Sequence, residues 1–211
     1  MNAGQERVST RGRFITFEGI DGAGKSSHIQ PFAQTLRSRG IKVIVTREPG
    51  GSELAERLRE LILLEPMSPT TEMLLAFAAR SDHLDRLIRP AIARGEWVIC
   101  DRFTDSTFAY QGGGRGLPWD QVAWLERSVH PDLQPDLTLL FELPPEVAAQ
   151  RRAAARAADR IEREDLGFFE RVAAGYRKRV AERPERFLVV DARASMDEIS
   201  KMLHEYALKC L

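Results

Sequence analysis

The chain has 211 residues, 43% of them hydrophobic, and its 31 basic residues balance 31 acidic ones to a formal net charge of zero. That length suits one compact core, and the charge balance leaves no net field to draw the protein onto nucleic acid or an anionic membrane, so neither is expected as a partner. No apolar run reaches the roughly 20 residues that cross a bilayer, the polar start lacks a hydrophobic signal segment, and Cys100 and Cys210 stand in no metal or redox spacing. A cytoplasmic protein with reduced thiols is expected, with residues 1–11 as a flexible tail and 12–211 as a single domain.

Five short apolar runs follow one another along the chain, at 14–17, 41–45, 97–100, 137–141 and 187–190, and each reads as a strand buried on both faces. Between them apolar residues recur at helical spacing: Ile29, Phe32, Ala33 and Leu36, then Leu54, Leu58, Leu61 and Ile62, and finally Ile199, Met202, Leu203 and Tyr206. Gly40 closes the first helix, Pro90 and Gly95 precede the third strand, and Pro131 and Pro135 precede the fourth. Alternating strands and helices predict an α/β fold, a five-stranded parallel sheet flanked by helices on both faces. The Ala/Arg-rich stretch over about 148–163 is made of helix formers and reads as a further helix.

Directly behind the first strand stands Gly19-Ile20-Asp21-Gly22-Ala23-Gly24-Lys25-Ser26, followed by Ser27 and a helix-patterned segment. Glycines let successive N–H groups turn toward a phosphate, and the next helix adds its positive dipole end. A lysine at this spacing reaches the β and γ oxygens, and the following serine ligates Mg²⁺. The segment 19–27 is thus a candidate binding loop for ATP, and the fold expected is of the P-loop NTPase type. Parallel sheets bind ligands beyond the carboxyl ends of their strands, and there the second strand leads into Thr46-Arg47-Glu48-Pro49-Gly50-Gly51 and the third into Asp101-Arg102-Phe103. Asp101 is a candidate metal ligand beside Ser26; the plainer alternative is a strand-end surface ion pair. Where a hydrolase would carry glutamate next, Arg102 favours phosphoryl transfer to a second phosphate.

Together with Ala78-Ala79-Arg80 and Ala109-Tyr110-Gln111-Gly112-Gly113-Gly114-Arg115-Gly116, these segments resemble the bacterial thymidylate kinases, in order and in spacing, from about Arg13 to the C-terminal helix. The resemblance implies transfer of the γ-phosphoryl group of ATP, with Mg²⁺, to dTMP, in a homodimeric enzyme. It implies that Asp21 accepts a hydrogen bond from the sugar 3′-hydroxyl and that Arg47 and Arg102 hold the acceptor phosphate. It assigns Arg80 and Gln111 to the thymine edge, Tyr110 to the deoxyribose, and Ser106 to a lesser polar contact. Many relatives carry the thymine-stacking ring four residues before the arginine, where this chain has Ala76. Phe77 is one position on, about 100° around a helix, and either stacks on thymine or belongs to the core.

Residues 148–163 resemble the helical lid that closes over ATP. The phosphate loop carries no arginine, so the resemblance draws the catalytic cation from this lid, beside Lys25 and Arg102. Arg152, Arg156 and Arg160 recur at i, i+4 and i+8, with Arg151 alongside; Arg156 is the candidate for that cation, and a solvated helical face is the alternative. Two other functions remain open: a kinase of the same fold acting on another monophosphate or a deoxynucleoside, and a nucleotide-switched binding module.

Overall fold

The computed structural model describes residues 11–153 and 159–210. The expected tail residues 1–10 and the lid residues 154–158, including Arg156, lie outside the described residues. All five strands form: β1 (Phe14–Glu18), β2 (Val43–Arg47), β3 (Trp97–Asp101), β4 (Leu137–Glu142) and β5 (Phe187–Asp191). They pair in parallel in the order β2-β3-β1-β4-β5. The connection after β1 runs to one side of the sheet and that after β3 to the other, so the crevice at the end of β1 is the topological switch point.

Register then sets which residues meet. Phe17 lies opposite Asp101, and Arg47 lies opposite the same Asp101 on the far side of β3. The strands therefore release the glycine loop, the 101–103 segment and the 47–51 segment at one level. The expectation of five strands buried on both faces holds for β1, β3 and β4 but not for β2 and β5, which are half-buried. These two are the edges, and an edge strand has a neighbour on one side only.

On one face, α1 (Ser26–Arg37) packs with α9 (Met196–Lys209). Ile29, Phe32, Ala33 and Leu36 meet Phe17, Ile99, Leu139 and Phe141 in the largest core cluster, where each fully buried ring contributes about 1.5–3 kcal/mol. On the other face Phe14, Val98 and Cys100 meet Leu84, Ile88 and Phe103. The helix α2 (Glu53–Leu64) starts from a Ser52 cap, yet of its predicted apolar stripe Leu54 and Leu61 face outward and only Ile62 is buried.

Ser68 caps α3 (Pro69–His83), with proline at the first helical position, where its missing N–H costs nothing. The helix runs on through a π-helical turn, Leu84–Ile88, into α4 (Arg89–Ala93), so Pro90 enters without ending it. A second π-helical stretch, Phe108–Gly114, continues α5 (Thr104–Thr107) and packs against α8 (Leu166–Glu182). The remaining helices are α6 (Trp119–Val129) and α7 (Pro145–Ala153). The predicted 148–163 helix is corrected in part: α7 ends at Ala153 among the described residues, and 160–163 is turn rather than helix.

Candidate active site

The chain leaves β1 through Gly19, whose φ of 133° is open only to glycine, and a Cβ there would stand 2.4 Å from the carbonyl oxygen of Phe141. The loop then closes on α1. Lys25 Nζ donates to the carbonyls of Gly19 (2.9 Å) and Ile20 (3.3 Å), spanning the loop from within. Burial, reinforced by the nearby Arg102 charge, pushes its pKa down to about 8.

Arg102 joins this loop to what lies beside it. Its backbone sits in the left-handed region at φ 72°, a conformation that costs a non-glycine residue about 1–2 kcal/mol, and its N–H is tied to Phe17 O at 2.9 Å. The guanidinium donates to Gly19 O (2.9 Å) and Asp21 Oδ1 (2.6 Å) on the loop, and to Tyr176 Oη (3.1 Å), Ser106 Oγ (3.2 Å) and Tyr110 Oη (3.2 Å) beyond it. Asp21 also accepts from Tyr110 Oη at 2.8 Å. Burial works against its charge, but Arg102 and Lys25 prevail and hold its pKa well below the usual carboxylate range. Beneath lies Glu18, which accepts from Phe103 N (2.7 Å), Ser106 Oγ (2.6 Å) and Tyr176 Oη (2.8 Å). Burial, aided by Asp105, pushes the Glu18 carboxyl up to about 7.

A cavity of about 120 Å³ opens from Arg102 and Asp21 across Ser106, Tyr110, Thr107 and Gln111 to Arg80. Arg80 is 3% exposed and doubly held, Nε on Glu48 Oε2 (2.8 Å) and Nη2 on Thr107 Oγ1 (3.0 Å). Glu48 is itself held by His83 Nδ1 (3.1 Å), whose Nε2 meets Thr46 Oγ1 (2.8 Å). The guanidinium lies over the rings of Phe77 (4.8 Å) and Phe103 (5.1 Å). Its Nη1 is buried and has no hydrogen-bond partner among the described residues. A buried donor left unpaired costs about 1–3 kcal/mol, and a ligand acceptor would recover that cost. Gln111 Nε2 donates to Glu72 Oε1 at 2.7 Å.

Beside this cavity, Ser26, Thr46, Arg47 and Asp101 line a more open cleft. Asp101 Oδ1 is the other buried side-chain atom without a partner among the described residues. An orphaned carboxylate oxygen next to a hydroxyl is an oxygen donor set of the kind Mg²⁺ prefers, so these residues fit the ion. Glu48, His83 and Cys100 also converge, but there the carboxylate and the imidazole are already committed to Arg80 and Thr46.

The family model for thymidylate kinase matches residues 17–203. The thymidylate kinase of Cupriavidus metallidurans is 58% identical over 195 residues, which cover 92% of this chain and 97% of that protein. The chain belongs to the thymidylate kinase family. The thymidylate kinase of Methylobacillus flagellatus is 56% identical over 191 residues, covering 90% of this chain and 94% of that one. The crystal structure of thymidylate kinase from Ehrlichia chaffeensis shares the fold with a TM-score of 0.75 and 31% identity, over 95% of this chain and 98% of that one.

The cavity is lined by Asp21, Arg80, Arg102, Ser106, Tyr110 and Gln111, residues that the resemblance assigns to dTMP. Arg47 stands apart from it: half exposed, it pairs with Glu56 at 2.9 Å and faces the Ser26–Asp101 cleft. Phe77, read either as a ring stacked on thymine or as a core residue, packs as a core residue. It is buried with Met73, Phe108 and Val122, and Ala76 reaches the cavity wall in its place, because one helical position turns the ring away. Arg160, expected on a cationic helical face, stands in a turn, with its guanidinium bound to Glu72 Oε2 (2.6 Å) and the Ile62 carbonyl (2.7 Å). Arg151 donates to the Ala192 carbonyl at 3.2 Å.

Several residues of the site were not anticipated. Arg59 lines the cavity with Nη1 on the Pro49 carbonyl (2.8 Å), Glu48 and Thr107 hold Arg80, and Tyr176, itself bonded to Glu18, holds Arg102. Glu72 looks in sequence like an ordinary acid in the first turn of a helix. The partial signals were local: Glu18 ends β1 and Glu48 follows β2, each inside a motif already noticed.

Proposed function

We propose that the chain transfers the γ-phosphoryl group of ATP to dTMP, giving dTDP and ADP for dTTP synthesis and DNA replication, as a cytoplasmic homodimer. The observation that carries this reading is Arg102, whose one guanidinium bonds both the phosphate loop and the polar side chains of the neighbouring cavity. Two phosphates brought end to end repel each other, and a fixed cation shared by their two sites offsets that repulsion without rearrangement. Residues 19–27 cradle the triphosphate and Lys25 neutralises its outer oxygens. The forked donors of Arg102, with Arg47 and Arg59 nearby, hold the dianionic acceptor phosphate. Asp21, ionised and next to Tyr110, accepts from a sugar hydroxyl, and Tyr110 packs beside the deoxyribose. The orphaned Arg80 Nη1 donates to the base.

Ser26 and Asp101 would hold Mg²⁺, which when bound neutralises phosphoryl oxygens. We assign the lid cation to Arg156, with Arg151 and Arg152 as its neighbours. The exposed Leu54, Leu61, Leu64, Leu74 and Trp124 support pairing of two copies through α2, α3 and α6. A coupled assay of ADP release with Mg·ATP and, in turn, dTMP, dUMP, dCMP, AMP and thymidine tests the reading. Turnover is expected to be fastest with dTMP; absence of dTMP-dependent ADP overturns it.

A further inference from the structure

Glu72 is 1% exposed and stands behind Gln111, a residue of the cavity wall, and it bonds none of the groups assigned to phosphate. Its carboxylate collects N–H donors from three side chains: Gln111 Nε2 (2.7 Å), Arg160 Nη2 (2.6 Å) and Arg115 Nη2 (3.3 Å). Burial alone would raise its pKa, but the bonds from Gln111 and Arg160 and the Arg115 charge outweigh burial and keep it lowered, so the group is an anion and accepts only. An amide facing such a group has one workable orientation. Its NH₂ must point at the carboxylate, since the carbonyl oxygen would meet another negative oxygen. The Gln111 carbonyl is then left for the cavity that the residue lines, and it has no hydrogen bond among the described residues.

Across the same cavity Arg80 offers a donor, the unpartnered Nη1, fixed by Glu48 and Thr107. The recognition face is thus a donor followed by an acceptor. A pyrimidine with a 4-carbonyl and a protonated N3 presents the complementary acceptor and donor, whereas a 4-amino pyrimidine with an unprotonated N3 presents the reverse. We propose that Glu72 is a specificity-determining positioning residue, which selects 4-oxo over 4-amino pyrimidine monophosphates by fixing the orientation of the Gln111 amide. The inference rests on the reading of this cavity as the thymine site. Arg160 and Arg115 serve it by holding the carboxylate ionised and in place.

The test compares kcat/KM for dTMP and dCMP in the wild-type enzyme, Glu72→Gln and Glu72→Asp. Glu72→Gln gives Gln111 a neighbour that both donates and accepts, so the amide turns freely, and the dTMP-to-dCMP ratio is expected to fall by about tenfold to a hundredfold. Glu72→Asp keeps the anion and restores most of the ratio. Simple loosening of the wall would lower both rates together, so an unchanged ratio in a folded Glu72→Gln overturns the proposal. Should that variant fail to fold, ¹⁵N spectra of the wild-type protein decide. The Gln111 side-chain NH₂, assigned from its loss in Gln111→Leu, is expected to exchange slowly with solvent both without and with dTMP; rapid exchange overturns the assignment. Failure of the wild-type enzyme to use dTMP at all refutes the site reading itself and is seen before any variant is made.

Discussion

Protonation of His130 should destabilise the fold by a predictable amount. The ring is fully buried between α6 and β4, 4.9 Å from the Phe103 ring, with Nδ1 donating to the Leu133 carbonyl (3.0 Å) and Nε2 left to accept from Thr104 Oγ1 (2.7 Å). It is therefore held neutral: burial, with the Arg80 charge added, drops its pKa from 6.5 to about 4. The unfolded chain binds this proton below pH 6.5 and the folded one only near pH 4, so the stabilisation is complete above 6.5 and is lost as pH falls through about 4. At about 1.4 kcal/mol per pH unit the loss comes to about 3 kcal/mol, a sizeable part of the 5–15 kcal/mol typical of a domain. Glu18 acts in the opposite sense. Its pKa is raised from 4.5 to about 7, so its contribution declines as pH rises between those values and flattens the wild-type profile. The quantity to measure is therefore the gap between wild type and His130→Gln, from urea unfolding followed by tryptophan fluorescence between pH 4 and 7.5. The variant is less stable at neutral pH but has no proton to gain, so the gap should close by about 3 kcal/mol toward pH 4. A gap constant across that range refutes the assignment of a buried neutral imidazole.

Three further outcomes are expected. Asp101→Asn should raise the Mg²⁺ concentration for half-maximal activity about tenfold or more while leaving the melting temperature little changed, since Oδ1 makes no hydrogen bond among the described residues; a large fall in melting temperature contradicts that account. Arg102→Lys retains a charge but not the fork that spans loop and cavity, so kcat/KM for dTMP should drop about 10²–10³-fold, with ATP affinity by calorimetry changed far less. Gly175→Ala would set a Cβ 2.8 Å from the Cα of Ala109, where α8 meets the π-helical stretch, and should cost about 1–3 kcal/mol in chemical denaturation; a neutral result would show that the two backbones separate freely.

The binding loop, the strand ends that carry Arg47 and Asp101, and the α/β alternation are legible in the chain alone, because each depends on residues adjacent in sequence: a glycine turn, an apolar run, a cap. The site around Arg102 was legible in part, through the strand–loop motifs that supply Asp21, Ser106 and Tyr110. Other features escape local reading. Which strands are edges depends on sheet order, which no single segment encodes. Whether Phe77 or Ala76 faces the cavity depends on the rotation of α3 against α6, and one position moves a side chain by about 100°. Arg160 reads as one more member of an arginine row until the fold lays it against Glu72, some ninety residues away in sequence, and Glu72 shows no function until Gln111 and Arg115 reach it from yet another segment. Sequence determined what chemistry the chain carries, since residue type and short spacing set it; only tertiary packing decided which charges share one carboxylate and which donors stay unpaired, since burial and long-range pairing belong to the whole fold.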